Sequence, residues 1–170
     1  TLLEEDVLNK YKNLIVIKSI SNSYGIAGLR LGVLCSADKD LLEIIQNNLP
    51  IWNINSLAEY FLQIFLPFKN EYLVSCNKVI EERDYLYNNL KNIKYLNPYF
   101  SEANYIMCEV KGNVKSHDLC LFLLKKHNIL IKNLFLENDF NNVQMVRIAV
   151  KERESNKFLL ESLKEYEDVK

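Results

Sequence analysis

Ser19, Ser21, Ser23, Gly25, Gly28, Arg30 and Gly32 fall within one short stretch of the sequence. Hydroxyls and backbone N–H groups donate hydrogen bonds, and a guanidinium grips oxyanions with a planar fork. The grouping therefore suits an anion, a phosphate foremost. A strand-loop-strand corner that needs glycine only for its turns accounts for the same residues, and on local chemistry alone it is the simpler account. A second candidate is Arg147. Alternation along 144–150 puts Val146, Ile148 and Val150 on one face and Met145, Arg147 and Ala149 on the other. Flanked by apolar neighbours, that arginine is expected to need an anionic partner, because an unpaired buried charge is costly. The partner is either a carboxylate of the protein or a ligand carboxylate, which the fork also suits.

The elements that would position these groups follow from periodicity. Apolar residues at helical spacing predict a helix over 2–11. The run Leu14 to Ile20 predicts a strand buried on both faces, of the kind found in parallel sheets. Leu29 to Cys35 predicts a second strand beyond the glycine-bearing loop. Ser36 or Asp38 can cap a helix over about 38–48, and Ser56 can cap the helical region that follows. Pro67 should interrupt that region, leaving a longer helix over about 70–91 that bridges two units. Beyond it the pattern predicts strands at 93–96 and 103–110, a helix capped by Ser116 and running through about His127, strands at 129–131 and 144–150, and a helix over 152–166. A polar loop is expected at 138–142. The order after the long helix is β-β-α-β-β-α, a compact α/β unit.

Composition excludes some functions and leaves others open. The chain has 170 residues, of which 49% are hydrophobic and 25% charged, an ordinary globular balance. With a net charge of -1 and interspersed signs there is no electrostatic case for nucleic acid or an anionic membrane. No apolar run approaches the roughly 20 residues of a membrane span. Cys35, Cys76, Cys108 and Cys120 form no C-x-x-C pair and read as buried free thiols in a reducing, cytoplasmic setting. His117 and His127 stand at opposite ends of one predicted helix, so no metal site is expected. The start is acidic, lacks a signal-peptide pattern and has no initiator Met, so the chain is expected to be part of something longer.

Taken together, the motifs resemble those of a known family. The run Ser19-Ile-Ser-Asn22-Ser-Tyr-Gly-Ile-Ala-Gly28-Leu-Arg30-Leu-Gly32 is similar to the active-site segment of fold-type I, class I/II aminotransferases, which use pyridoxal 5'-phosphate (PLP). Pro50-Ile-Trp-Asn-Ile-Asn55-Ser-Leu-Ala-Glu59 resembles their entry into the interdomain helix, and Ser101-Glu-Ala-Asn104-Tyr-Ile106 the first strand of their small domain. Asn128-Ile-Leu-Ile-Lys132 and the stretch from Val146 through Arg147 to Asn156 resemble the last strands and the start of the final helix. The nearest subgroup is that of histidinol-phosphate aminotransferases and threonine-phosphate decarboxylases.

The resemblance implies an α/β fold. It would comprise the end of a large PLP-dependent transferase domain (1–52), a long interdomain helical segment (53–91) and a small domain (92–170). It implies that Ser19 and Arg30 hold the PLP phosphate with Ser21 nearby, that Arg147 takes the substrate α-carboxylate, and that Asn104 and Lys132 line the substrate side. It also implies a homodimer, with the apolar Ile51-Trp52 as a contact, acting on a small amino-acid substrate. The catalytic position departs from the pattern, since Asn22 stands where the family's Schiff-base lysine belongs. An amide is neither a usable nucleophile nor a base. Three readings stay open: an aminotransferase inactivated at this position, a decarboxylase of the threonine-phosphate type, and a ligand-binding module without turnover.

Overall fold

The computed structural model describes residues 2–134 and 143–168, with backbone alone at 22, 167 and 168. The loop expected at 138–142 lies outside the described residues. The chain divides into two compact units, 1–72 and 73–170, and the division falls inside one long helix.

The first unit runs α1 (Glu5–Lys10), β1 (Ile15–Ser19), α2 (Ile20–Ser23), a 3-10 turn (Ala27–Leu29), β2 (Gly32–Ser36), α3 (Lys39–Asn47), α4 (Ser56–Phe65), a 3-10 turn (Leu66–Phe68) and the first turn of α5 (Lys69–Leu90). β1 and β2 pair antiparallel, with Ser19 opposite Gly32. β1 is not buried on both faces as its apolar run predicts: Ile17 is 76% exposed, and Ile15 and Val33 are also exposed. The chain doubles back through residues 20–31, so β1 meets its own continuation, and no second layer of the described chain covers the ribbon. β2 starts at Gly32 rather than at Leu29, because Ala27–Leu29 curls into the 3-10 turn and Arg30 is left-handed. Asp38 caps α3 through its side chain, which accepts from the Leu41 N–H at 3.0 Å. For α4 the cap is Asn55, not Ser56: the Asn55 amide oxygen accepts from the Ala58 N–H at 3.0 Å. Pro67 sits in the turn that separates α4 from α5, as its missing N–H requires.

The second unit holds the remainder of α5, then β3 (Leu96–Pro98), β4 (Tyr105–Val110), α6 (Ser116–His127), β5 (Lys132–Asn133), β6 (Met145–Ala149) and α7 (Arg153–Asp168). The sheet order is β3-β4-β6-β5, antiparallel throughout. One face of this sheet, carrying Ile106, Cys108, Val146 and Ile148, packs against Leu86 and Leu90 of α5, Leu119 and Leu123 of α6 and Leu163 of α7. Burying a side chain of this size stabilises by about 1.5–3 kcal/mol, so this cluster dominates the unit. β3 and β5 lie further along than the sequence suggests. The helical turn continues past Leu90 through bonds from Ile93 N–H to Leu90 and from Leu96 N–H to Ile93. Ser116 does not cap α6. It is the first helical residue, fully buried, with its hydroxyl 2.9 Å from both Asn133 Oδ1 and Gln144 Oε1. It joins the helix to β5 and to the start of β6. Of the four thiols only Cys108 is fully buried, and burial pushes it up to about 12; the other three are half-buried.

α7 is fixed to α5 through a carboxylate. Glu82 accepts from Arg153 Nε at 2.9 and 3.0 Å and from the Asn156 amide at 3.1 Å. The Arg153 hydrogen bond holds the Glu82 carboxyl below its ordinary value.

Candidate functional site

The stretch 19–32 is two helical turns joined head to tail rather than an open loop. Leu31 is the keystone. Its carbonyl accepts from the N–H groups of Ile20 (3.0 Å) and Ser21 (3.1 Å), and its N–H donates to Ser21 Oγ at 2.7 Å. Ser21 Oγ donates in turn to the Leu31 carbonyl at 3.3 Å, and the residue is 2% exposed. Ser23 Oγ donates to the Ser19 carbonyl at 2.9 Å. Two of the three hydroxyls therefore hold the turn closed. Ser19 is exposed at the end of β1, opposite Gly32 and so beside the exit of the same turn. Gly25 takes φ +69°, a conformation that a side chain would strain.

Arg30 is exposed and stands at φ 52°, ψ 42°. A non-glycine residue in the left-handed region costs about 1–2 kcal/mol. One guanidinium nitrogen donates to the Ala27 carbonyl at 3.4 Å, and among the described residues no carboxylate pairs with the exposed cation, which leaves it open to an anion. Strain of this kind concentrates at functional sites. Replacing Arg30 with glycine should relieve the strain, and alanine should not. We expect Arg30→Gly to be more stable than Arg30→Ala by about 1 kcal/mol in chemical denaturation. Equal stabilities would show that the backbone there is not strained.

In the second unit, register places three side chains in one row across the strands. Met107 faces Arg147, and Arg147 faces Lys132. Val146 and Ile148 are the buried residues of β6, and Arg147 is exposed on the other face. The expected alternation is present, but Arg147 is not a buried charge. Its guanidinium lies 5.1 Å from the centre of the Tyr105 ring. Among the described residues no carboxylate pairs with Arg147 or Lys132. Like charges directly opposite on a sheet repel, with side chains starting about 5 Å apart. Asn104 is exposed just before β4, its carbonyl accepting from the Val150 N–H at 2.9 Å.

The first unit thus brings Ser19, Ser21, residue 22 and Arg30 onto one turn, and the second brings Lys132 and Arg147 onto one face with Asn104 at the end of the neighbouring strand. Sequence reasoning missed three residues that hold the turn in place. Asn55 donates to the Leu29 carbonyl at 2.8 Å, Tyr72 donates to the Ser23 carbonyl at 3.2 Å, and the Tyr24 ring stacks on Tyr72. Tyr72 falls at apolar helical spacing, which says nothing of where its hydroxyl bonds. Nothing local reveals a bond made 49 residues away.

Comparison with known proteins gives the family. Residues 5–163 match the family Aminotransferase class I and II. The chain is 31% identical to a histidinol-phosphate aminotransferase from Methanococcus aeolicus, over 92% of this chain and 41% of that one. It is 29% identical to an L-serine phosphate decarboxylase from Campylobacter jejuni, over 94% of this chain and 41% of that one. A solved decarboxylase from Sulfurospirillum multivorans superposes with a TM-score of 0.83 at 28% identity, covering 98% of this chain and 47% of that one. The chain therefore spans about two fifths of the length of these curated relatives. With a family match over nearly its whole length, the chain belongs to the class I and II aminotransferases.

Proposed function

We propose that the chain is the C-terminal portion of a PLP-dependent enzyme of the aminotransferase type. Its natural reaction would move an amino group between an amino acid or amino-acid phosphate and a 2-oxo acid. PLP is the cofactor of the family, and the first unit fits its phosphate. Ser19 and Arg30 flank the exit of one closed turn, and Ser21 braces that turn against Leu31. The exposed Arg30 guanidinium, on a left-handed backbone and with no carboxylate partner among the described residues, is the single observation that carries this reading. The fit stops at residue 22, where no amine is present.

PLP, when bound, draws electrons from the substrate α-carbon and so weakens the bonds around it. The chain's own residues do the rest of what can be assigned. Ser19 donates to the phosphate and Arg30 neutralises it. Arg147 takes the substrate carboxylate with its fork, and Lys132 and Asn104 line the same side. The Asn22 amide can neither attack an aldehyde nor serve as a base near neutral pH, so the chain is proposed to bind without turning over. Asn22 also favours the second reading, a ligand-binding module that has kept the fold. A decarboxylase remains the alternative within the family, since relatives of both kinds match equally well.

Assembly as a homodimer is part of the proposal. Ile51 and Trp52 are 94% and 90% exposed, the pattern of apolar anchors that a partner would cover.

The test compares PLP with pyridoxal, which lacks the phosphate. Calorimetric titration should give at least about tenfold tighter binding of PLP, the contribution of one charge-assisted anchor. Equal affinities would remove the phosphate site from the first unit.

A further inference from the structure

The turn 20–31 is closed by its own hydrogen bonds, but those bonds do not fix it against the rest of the first unit. An aromatic cluster does. The Tyr24 and Tyr72 rings stack with centroids 4.3 Å apart and planes at 29°. Phe65 meets Tyr24 edge-on at 4.6 Å, and Phe61 stands 6.0 Å from Tyr24. Three of the four rings come from α4 and the first turn of α5, and the fourth belongs to the turn itself. The Tyr72 hydroxyl adds a bond to the Ser23 carbonyl at 3.2 Å. Tyr72 therefore holds the Ser23–Tyr24 peptide by two independent means, ring contact and hydrogen bond. Asn55 holds the opposite end of the turn, at Leu29, from the N-cap of α4.

We infer that Tyr72 is a positioning residue, which through Tyr24 and Ser23 keeps the 20–31 turn in its anion-receiving shape before any ligand arrives. Preorganised donors do not lose binding energy to ordering themselves, so a loosened turn should weaken an anion far more than an uncharged ligand of the same shape. The inference rests on the cofactor reading above for the identity of that anion.

The experiment uses Tyr72→Phe, Tyr72→Ala and Tyr24→Ala in the whole chain. One readout is the ratio of PLP affinity to pyridoxal affinity. Tyr72→Ala and Tyr24→Ala should each lower that ratio about fivefold to tenfold. Tyr72→Phe keeps the stack and loses only the hydrogen bond, so it should rescue most of the effect. General damage to the fold would weaken both ligands alike and leave the ratio unchanged. The other readout is amide exchange at Tyr24 and Ile26, whose N–H groups donate within the turn to Ile20 and Ser21. Exchange there should quicken at least about tenfold in Tyr72→Ala relative to the β1–β2 ladder. An unchanged ratio overturns the positioning role. Unchanged exchange overturns the clasp itself. A ratio near one in the unsubstituted chain overturns the cofactor reading, whereas a high ratio that the parent and all three variants share overturns the positioning role alone.

Discussion

Asn22→Lys is expected to turn a chain with no side-chain amine at position 22 into one that holds PLP there covalently. The argument is positional. Residue 22 lies in α2, whose backbone is closed to Leu31 on one side and held by Tyr72 on the other. A lysine introduced there emerges from a fixed turn beside the proposed phosphate anchors, so its amine would meet the ligand aldehyde at high effective concentration. Surface lysines have no such anchor and react only as free amines would. After incubation with PLP and reduction with borohydride, peptide mapping should find the label at residue 22 in near-stoichiometric yield. The parent chain should show only scattered labelling. Pyridoxal should label position 22 far less than PLP does, because the phosphate provides the docking. Equal labelling of residue 22 and of surface lysines would mean that the turn does not present the cofactor.

How much of this was legible in the sequence depends on what each feature answers to. The extent of α6 was read to within a residue because its apolar spacing and its polar ends are local. The left-handed Asn128 that stops it is also a local device. The break at Pro67 was legible for the same reason, since the missing N–H is a property of the residue itself. The alternation in β6 gave the faces of Val146 and Arg147 correctly. What failed was everything decided by partners. An apolar run at 14–17 says that both faces can be buried, not that this chain contains the layers to bury them, and Ile17 stays exposed. The start of β2 moved because Arg30 is left-handed, which no propensity predicts for arginine. Ser116 looked like a cap by type, and a tertiary network with Asn133 and Gln144 took its hydroxyl instead. The site followed the same rule. Its motif residues were named through the family resemblance, whereas the bonds by which Asn55 and Tyr72 hold the turn span 26 and 49 residues of chain, which no local pattern reveals.

Arg147 and Lys132 supply the second large expectation, and it has opposite signs for stability and for binding. Register sets the two cations directly across from each other on β6 and β5. Without a ligand their repulsion opposes the pairing of a strand that is only Lys132–Asn133 long. Removing one charge should therefore stabilise the unit, by about 0.2–1 kcal/mol for such a cross-strand pair. Lys132→Gln is the cleaner variant. Arg147→Gln also removes the guanidinium from the Tyr105 ring, a contact of about 0.5–1 kcal/mol at an exposed site, which cancels much of the gain. Binding should move the other way. Each cation that meets an oxyanion contributes about 1.5–3 kcal/mol, so either change should weaken a doubly anionic amino acid about tenfold to a hundredfold. O-phosphoserine and serine separate the two roles. Lys132→Gln should weaken O-phosphoserine and leave serine nearly unchanged, whereas Arg147→Gln should weaken both, because both carry the carboxylate. Arg147→Lys should recover the charge but not the fork, and so only part of the affinity. If Lys132→Gln is less stable than the parent, the two cations do not repel, and an anionic partner within the protein already lies between them.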